Sequence, residues 1–440
     1  MADTKTPVAF IGLGAMGFGM ATQLVTQGYE VTGFDIWAPT LERFKALGGK
    51  AASSAAEAAR GQEYCVCMVA TAQQADSILL DGPDAALSSL GQNAVLLLCS
   101  TVPCGYVQDL QQRIIDYGRS DILLVDCPVS GGAKRAADGT LSIMAGAKSE
   151  AIAKGKDLLA ALSDPQKLYI VDGGIGAGSN MKMCHQVLAA NQILSASESL
   201  GFAHHLGLDM AKTGEALVSS EGWSWMLENR LPRILDAKAP LASAVTIILK
   251  DTSIITSEAR RYGFPTPMTG TAEQAYFVGL RRGFGPDDDA TLVRIYTEGE
   301  RIQSTSDETS STDARVNLVV NLLKGIHVCA AAEALAFAHR VGLDLEQVFE
   351  LCINAAGGSA MLKTIGQDII RILRDEPASE QGGLSSVAKE LEQAIEEGQR
   401  LKMPLFLGTQ ALNMFRLVLR HKPKDQPDVP TAQLVKAWVG

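Results

Sequence analysis

The sequence is short of the residues that hold metals. It has six histidines, and none of its eight cysteines (Cys65, Cys67, Cys99, Cys104, Cys127, Cys184, Cys329, Cys352) forms a C-x-x-C pair. His204 and His205 are adjacent rather than at ligand spacing, so no metal site is expected. Most of the cysteines lie inside apolar runs such as Val95 to Cys99, which reads as buried reduced thiols and a cytoplasmic location. Positive charge is also scarce: 39 Lys and Arg against 49 Asp and Glu give a net charge of −10, which argues against nucleic acid or an anionic membrane as partner. A basic cluster near the end (Arg416, Arg420, Lys422, Lys424) is local and reads as a solvated helix face. The stretch Met1 to Pro7 is polar and leads into a strand, so no secretory segment is expected, and no apolar stretch reads as long enough to span a bilayer. With 47% hydrophobic and 20% charged residues, the composition lacks the signature of disorder.

What is present is a long chain with two textures. At 440 residues it exceeds one ordinary core, so two or three domains are expected. From Val8 to about Val171, short apolar strands (Val8–Ile11, Val31–Asp35, Tyr64–Val69, Val95–Cys99, Ile122–Asp126, Ser142–Ala145, Leu168–Val171) alternate with Ala-rich amphipathic segments such as Ala51–Arg60 and Glu150–Leu162. That alternation predicts an α/β domain, with a parallel-rich, doubly wound sheet covered on both faces. From about Asn180 the pattern is helical, with breaks expected at Gly207, Pro232, Pro240 and Gly263-Phe264-Pro265. Arg301–Asp313 is polar, has no apolar period and reads as a linker.

The helical part repeats. Gly201–Asp209 (GFAHHLGLD) matches Ala336–Asp344 (AFAHRVGLD) at an offset of 135, which also pairs Glu198 with Glu333, Gly222 with Gly357, Ser224 with Ser359 and Met226 with Met361. Further on, an offset of 139 pairs Lys250-Asp251 with Lys389-Glu390 and Pro265 with Pro404, the extra residues falling around Arg371–Gln381. Agreement that survives one small insertion predicts two tandem all-α domains. The expected organisation is an α/β domain over 1–173, an all-α domain over 174–300, a linker over 301–313 and a second all-α copy over 314–440.

Gly12-Leu13-Gly14-Ala15-Met16-Gly17 follows a strand and opens an apolar helical run, Met20 to Val25. In that context the first glycine allows a tight turn, the second lets the backbone approach a pyrophosphate, and the third lets helix and strand pack closely. The helix start offers its free N–H groups to the phosphates. Asp35 ends the second strand about 20 residues on, where a carboxylate accepts from a ribose 2′-hydroxyl and repels a 2′-phosphate. NAD is therefore the expected cofactor.

Two further segments have readable chemistry. Asp126-Cys127-Pro128-Val129-Ser130-Gly131-Gly132, followed by Gly139-Thr140-Leu141, offers a hydroxyl and consecutive Gly amides as a concave donor set for a carboxylate. Gly174–Gly178 leads into Lys182. With these residues and the Gly loop, the chain resembles the β-hydroxyacid dehydrogenase family, which includes 3-hydroxyisobutyrate, L-threonate and 6-phosphogluconate dehydrogenases. The resemblance covers about residues 7–285 and, more faintly, the duplicate.

The resemblance implies that Ser130, Gly131 and Gly132 bind substrate and that Lys182 is the proton-transfer residue. A lysine in a closed site beside a positively charged nicotinamide can take a hydroxyl proton while hydride leaves. The Asn pair usual after the lysine is replaced by His185 and Gln186, one helical turn on, both able to hydrogen-bond a hydroxyl or carboxylate. This His-Gln pair and Ser224-Trp225-Met226-Leu227-Glu228-Asn229-Arg230 are similar to the L-threonate dehydrogenase branch, although Trp225 could equally be core. Lys250 is implied on the nicotinamide side. Val69, Ala70, Thr71, Gln74 and Thr101 are implied at the cofactor, with Val69-Ala70 standing where Leu-Pro is usual.

The second copy has Asn317 in place of Lys182 and no dinucleotide loop before it, so it is no second active site of this kind. Relatives with one helical domain dimerise through it, and a fused copy would supply that partner in cis. A monomer with an internal pseudo-dimer and a homodimer both remain open. The substrate is expected to be a small hydroxy acid. The rivals are an imine reductase or reductive aminase on the same scaffold, whose members generally lack the lysine, and a non-catalytic NAD-binding scaffold, which would have a broken loop.

Overall fold

The computed structural model describes residues 7–236, 238–298, 314–379, 382–422 and 428–439. The expected linker 301–313 and Lys424 lie outside them. The chain divides into two compact units, 1–182 and 183–440.

In the first unit, runs such as Val-Ala-Phe-Ile and Val-Leu-Leu-Leu have every residue buried, as a strand covered on both faces requires. Six parallel strands pair in the order β3-β2-β1-β4-β5-β6: β1 Val8–Ile11, β2 Val31–Phe34, β3 Lys50–Ala51, β4 Tyr64–Cys67, β5 Val95–Leu98 and β6 Leu123–Asp126. Within β1, Val8 and Phe10 enter one core while Ala9 and Ile11 enter the other. The last two expected strands do not extend this sheet. β8 (Leu141–Ala145) and β9 (Ser163–Ile170) form a separate small sheet with β7 (Val129–Ser130). Asp126 joins the two sheets, exchanging backbone hydrogen bonds with Gly146 at 3.1 and 2.8 Å.

The second unit is helical, and its elements recur in order. Among the described residues, helices Ala177–His205, Met210–Val218, Trp225–Leu235, Val245–Arg261 and Pro267–Arg281, closed by a 3-10 turn (Asp289–Ile295), are followed by Ala314–Arg340, Leu345–Asn354, Ala360–Leu373, Leu384–Arg400, Phe406–His421 and a 3-10 turn (Thr431–Val435). The caps recur too. Asp209 and Asp344 accept from the N–H groups of Lys212 and Gln347, and Ser224 and Ser359 from those of Leu227 and Leu362.

Contacts between the two series come in reciprocal pairs, as across a two-fold axis. The Glu198 carboxylate accepts from the N–H groups of Leu407 and Gly408 (3.1 and 2.9 Å), and Glu333 accepts from those of Met268 and Thr269 (2.8 Å each). Each carboxylate caps the start of a helix in the other series, where the helix dipole favours negative charge. Burial nevertheless pushes both carboxyls up to about 7, against the lowering effect of these donors.

Two expectations need correction. Pro232 does not break a helix: it lies inside Trp225–Leu235, where it removes one N–H donor while its own carbonyl still accepts from Asp236 N–H at 3.0 Å. And one helix, Ala314–Arg340, is long and apolar enough to cross a bilayer by length and composition. It is the core of the helical unit, with 78% of its apolar window buried and Glu333 and His327 engaged inside the protein.

Candidate active site

The turn after β1 is built around Gly12, whose φ of +94° is open to glycine and whose missing side chain avoids Met68 O, only 2.3 Å from where a Cβ would stand. A Cβ on Gly17 would be 1.9 Å from Gly12 O, so the helix can begin this close to the strand only with glycine there. Gly14 faces open space, and the helix Gly17–Thr26 carries no acid in its first turn. An open glycine backbone at an unopposed helix N-terminus fits a dinucleotide pyrophosphate. Ala15 and Met16 complete the turn, and Phe18 N–H closes it on Gly14 O at 3.0 Å.

Asp35 holds this loop. Its carboxylate accepts from Leu13 N–H at 2.7 Å and from Trp37 N–H at 2.8 Å. Ile36 and Trp37, which no sequence motif marks, stand 88% and 65% exposed beside it. Large apolar side chains left in water next to a carboxylate that holds the glycine loop are the signal that could have found them.

The end of β4 is ordered by its own side chains. Val69 N–H donates to Ser100 Oγ at 2.9 Å, Thr71 caps the helix Ala72–Leu79 by accepting from Gln74 N–H, and Gln74 Oε1 accepts from Ala70 N–H at 2.9 Å. Gln74 thus has a local capping function, while Thr101 follows Ser100 directly at the end of β5.

Ser130 ends β7, and Gly131 and Gly132, with φ of +142° and +73°, turn the chain into the helix Gly132–Asp138. Lys182 lies in the second turn of Ala177–His205, whose start is clamped by Asp126. Ser179 donates both its N–H and its Oγ–H to the Asp126 carboxylate, at 2.7 Å each. Burial pushes that carboxyl up to about 6 against these donors. Gly178 lets the helix start touch the strands, since a Cβ there would meet Met144 O at 2.3 Å. In the sequence Asp126 stands only as the first residue of the Asp126–Gly132 motif. A carboxylate ending a buried strand was the available clue.

Lys182 itself is buried. One turn on, a polar chain runs through the second unit. His185 Nδ1 pairs with Gln186 Oε1 at 3.0 Å, Gln186 Nε2 donates to Asp251 Oδ2 at 2.5 Å, and Asp251 is ion-paired with Lys250 at 3.2 Å. Asp251, which its sequence neighbours do not mark as a site residue, is the member that joins the others. His185, Gln186 and Lys250 are therefore brought together, and the carboxylate that joins them fixes which way the Gln186 amide points. Trp223 Nε1 donates to Glu228 at 2.7 Å, and Trp225 opens the helix Trp225–Leu235.

Comparison with known proteins gives a consistent pattern. Residues 7–173 match the NAD binding domain of 6-phosphogluconate dehydrogenase. Residues 176–296 and again 314–435 match the domain described as NAD-binding of NADP-dependent 3-hydroxyisobutyrate dehydrogenase. An L-threonate dehydrogenase of Cupriavidus necator is 34% identical over 289 residues, 66% of this chain and 95% of that protein. A 3-hydroxyisobutyrate dehydrogenase from Salmonella typhimurium superposes with a TM-score of 0.61 at 29% identity, over 66% of this chain and all of that one. The 6-phosphogluconate dehydrogenase of Plasmodium falciparum agrees in fold over 95% of this chain and 94% of its own, with a TM-score of 0.67 at 15% identity.

Proposed function

Because the chain belongs to the β-hydroxyacid dehydrogenase family, the NAD-dependent oxidoreductases acting on CH–OH groups, we propose that it oxidises a small, hydroxyl-rich acid of the L-threonate kind, with Lys182 as general base. The observation that carries this is the polar chain His185–Gln186–Asp251–Lys250, one helical turn beyond a buried lysine. Bound NAD supplies the hydride acceptor. Gly12 to Gly17 hold its pyrophosphate and Asp35 its adenosine ribose, with Ile36 and Trp37 as an apolar wall beside the adenine.

Ser130 and the amides of Gly131 and Gly132 hold the substrate carboxylate. Lys182, as the neutral amine, takes the proton of the reacting hydroxyl, and the Asp126–Ser179 clamp fixes where that amine can reach. His185 and Gln186 bind the remaining hydroxyls. A site with fixed donors and acceptors discriminates strongly against substrates that leave them unpaired, so polyhydroxy acids are favoured over 3-hydroxyisobutyrate, whose methyl group satisfies neither.

Residues 314–440 serve as an internal partner for the first helical domain, making the chain a monomer with an internal pseudo-dimer. The recurrence of elements and the reciprocal capping by Glu198 and Glu333 support that reading. Eight buried free thiols suit the reducing cytoplasm.

The test is NAD reduction across C3–C6 hydroxy acids, L-threonate and 3-hydroxyisobutyrate included. A kcat/KM at least about tenfold higher for four-carbon polyhydroxy acids is expected, and a preference for 3-hydroxyisobutyrate would overturn the assignment of substrate.

A further inference from the structure

One buried amide in the helical unit has no counterpart across its two-fold relation. Gln192, fully buried on Ala177–His205, donates Nε2–H to the Gly357 carbonyl at 2.7 Å. The position 135 residues on is His327. Its Nε2 meets Ser195 Oγ at 3.1 Å, and its Nδ1 makes no hydrogen bond among the described residues. The loop ending at Gly357 is thus tied to the opposite long helix by an amide that its twin, ending at Gly222, does not receive from His327.

The two glycines are otherwise close equivalents. A Cβ on Gly357 would lie 3.1 Å from Leu188 Cδ1 and 3.3 Å from Leu188 Cβ, and on Gly222 3.1 and 3.3 Å from the same atoms of Leu323. Their third neighbours differ. For Gly222 it is Ser220 Oγ at 3.3 Å, and for Gly357 it is His185 Cδ2 at 3.5 Å. Of the two loops, the one with the added amide is the one resting on His185.

We propose that Gly357, held by Gln192, is a positioning residue: its bare Cα leaves the space that sets the His185 imidazole, and through it the fit of the substrate. This rests on the reading of His185 as substrate-facing. Contacts this close to Leu188 force the neighbours to move by a few tenths of an ångström once a methyl group is added. The crowding falls on Leu188, three residues beyond His185 in the same helix, while the methyl group would meet the imidazole at ordinary contact distance, so any shift that eases the loop off Leu188 is felt at His185.

The matched pair Gly357→Ala and Gly222→Ala tests this in the full chain. Gly357→Ala is expected to raise KM for the best hydroxy acid by about tenfold, with kcat and the KM for NAD within about twofold. Gly222→Ala, at an equally crowded site, should lower the melting temperature by a similar amount and leave all kinetic constants within about twofold. Gln192→Leu should move KM in the same direction as Gly357→Ala. Equal KM effects from the two glycine variants, or no effect from Gly357→Ala, would overturn the proposal. His185→Ala separates the two layers. If it raises KM while Gly357→Ala does not, only the role of Gly357 is lost. If it leaves KM unchanged, the substrate-facing reading of His185 falls, and the proposal with it.

Discussion

Ser224 and Ser359, 135 positions apart, pair with each other as an isolated antiparallel bridge, so that one position of the repeat meets its own image. The flanking bonds are reciprocal: Trp225 N–H donates to Gly358 O at 2.8 Å and Ala360 N–H to Trp223 O at 3.0 Å. Self-matching contacts of this kind are what an isologous interface makes between two subunits, here written into one chain.

Removing one series should therefore expose the face that the other covers. A chain ending before residue 314 loses the Leu407 and Gly408 donors to Glu198, and leaves that carboxylate within an uncovered apolar face. Interfaces of this obligate kind bury on the order of 2,000 Å² or more. The truncated chain is expected to aggregate or to dimerise in size-exclusion chromatography with light scattering, while Asn317→Ala in the full chain keeps activity within about an order of magnitude. A soluble, fully active, monomeric truncation would make the second series an independent appendage.

The chemistry is expected to depend on Lys182. Lys182→Ala should lower kcat by about 10²- to 10⁴-fold, the usual worth of a positioned acid–base group, with NADH affinity by fluorescence nearly unchanged. Activity within a few-fold of the parent would place proton transfer elsewhere.

Cofactor choice tests Asp35. NAD is expected to be preferred over NADP by at least about tenfold, roughly 1.4 kcal/mol. Because Asp35 also holds Leu13 N–H, Asp35→Ser should raise the KM for NAD as well as narrow the ratio. Equal use of both cofactors by the parent would remove the carboxylate from this task.

Asp126 links the sheet to the start of the helix that carries Lys182. Asp126→Asn puts an amide N–H where Ser179 donates, so about 1–3 kcal/mol of stability is expected to be lost, together with part of kcat. Thermal unfolding and steady-state kinetics read the two losses. Ser179→Ala, which removes one of the two Ser179 donors and leaves the Asp126 carboxylate in place, should be milder in both.

The pH dependence follows from Glu198 and Glu333, whose carboxyls titrate near 7 in the folded protein and near about 4.3 in an unfolded chain. Between those values the folded state binds more protons, so their contribution is fullest below about pH 4 and is lost as the pH rises to 7. The melting temperature is expected to fall between pH 5 and pH 8, and to fall less in the double variant Glu198→Gln, Glu333→Gln. Parallel curves for parent and variant would show that these carboxyls titrate normally.

How much of this was legible in the sequence differs from element to element. Strands such as Val8–Ile11 and Val95–Leu98 were readable because full burial demands uninterrupted apolar runs, and their ends were placed within a residue or two. β3 and β7, two residues each, leave no periodic signal, and the small second sheet depends on a bridge at Asp126 that no local pattern announces. The glycine loop and Lys182 are local features, hence visible. Asp251 reaches Gln186 across 65 residues, and Gln192 reaches Gly357 across 165. Such partners are fixed by packing, which single-sequence periodicity does not record.

The contrast between Gln192 and His327 has a consequence for how this enzyme can change. In a homodimer each codon is read out on both sides of the symmetry axis, so a residue that helps the site on one side must be tolerated on the other. A fused chain lifts that constraint: whatever is installed at Gln192 need not be accommodated at His327. Adjustments on the Gln192 side can thus be selected, or engineered, one at a time.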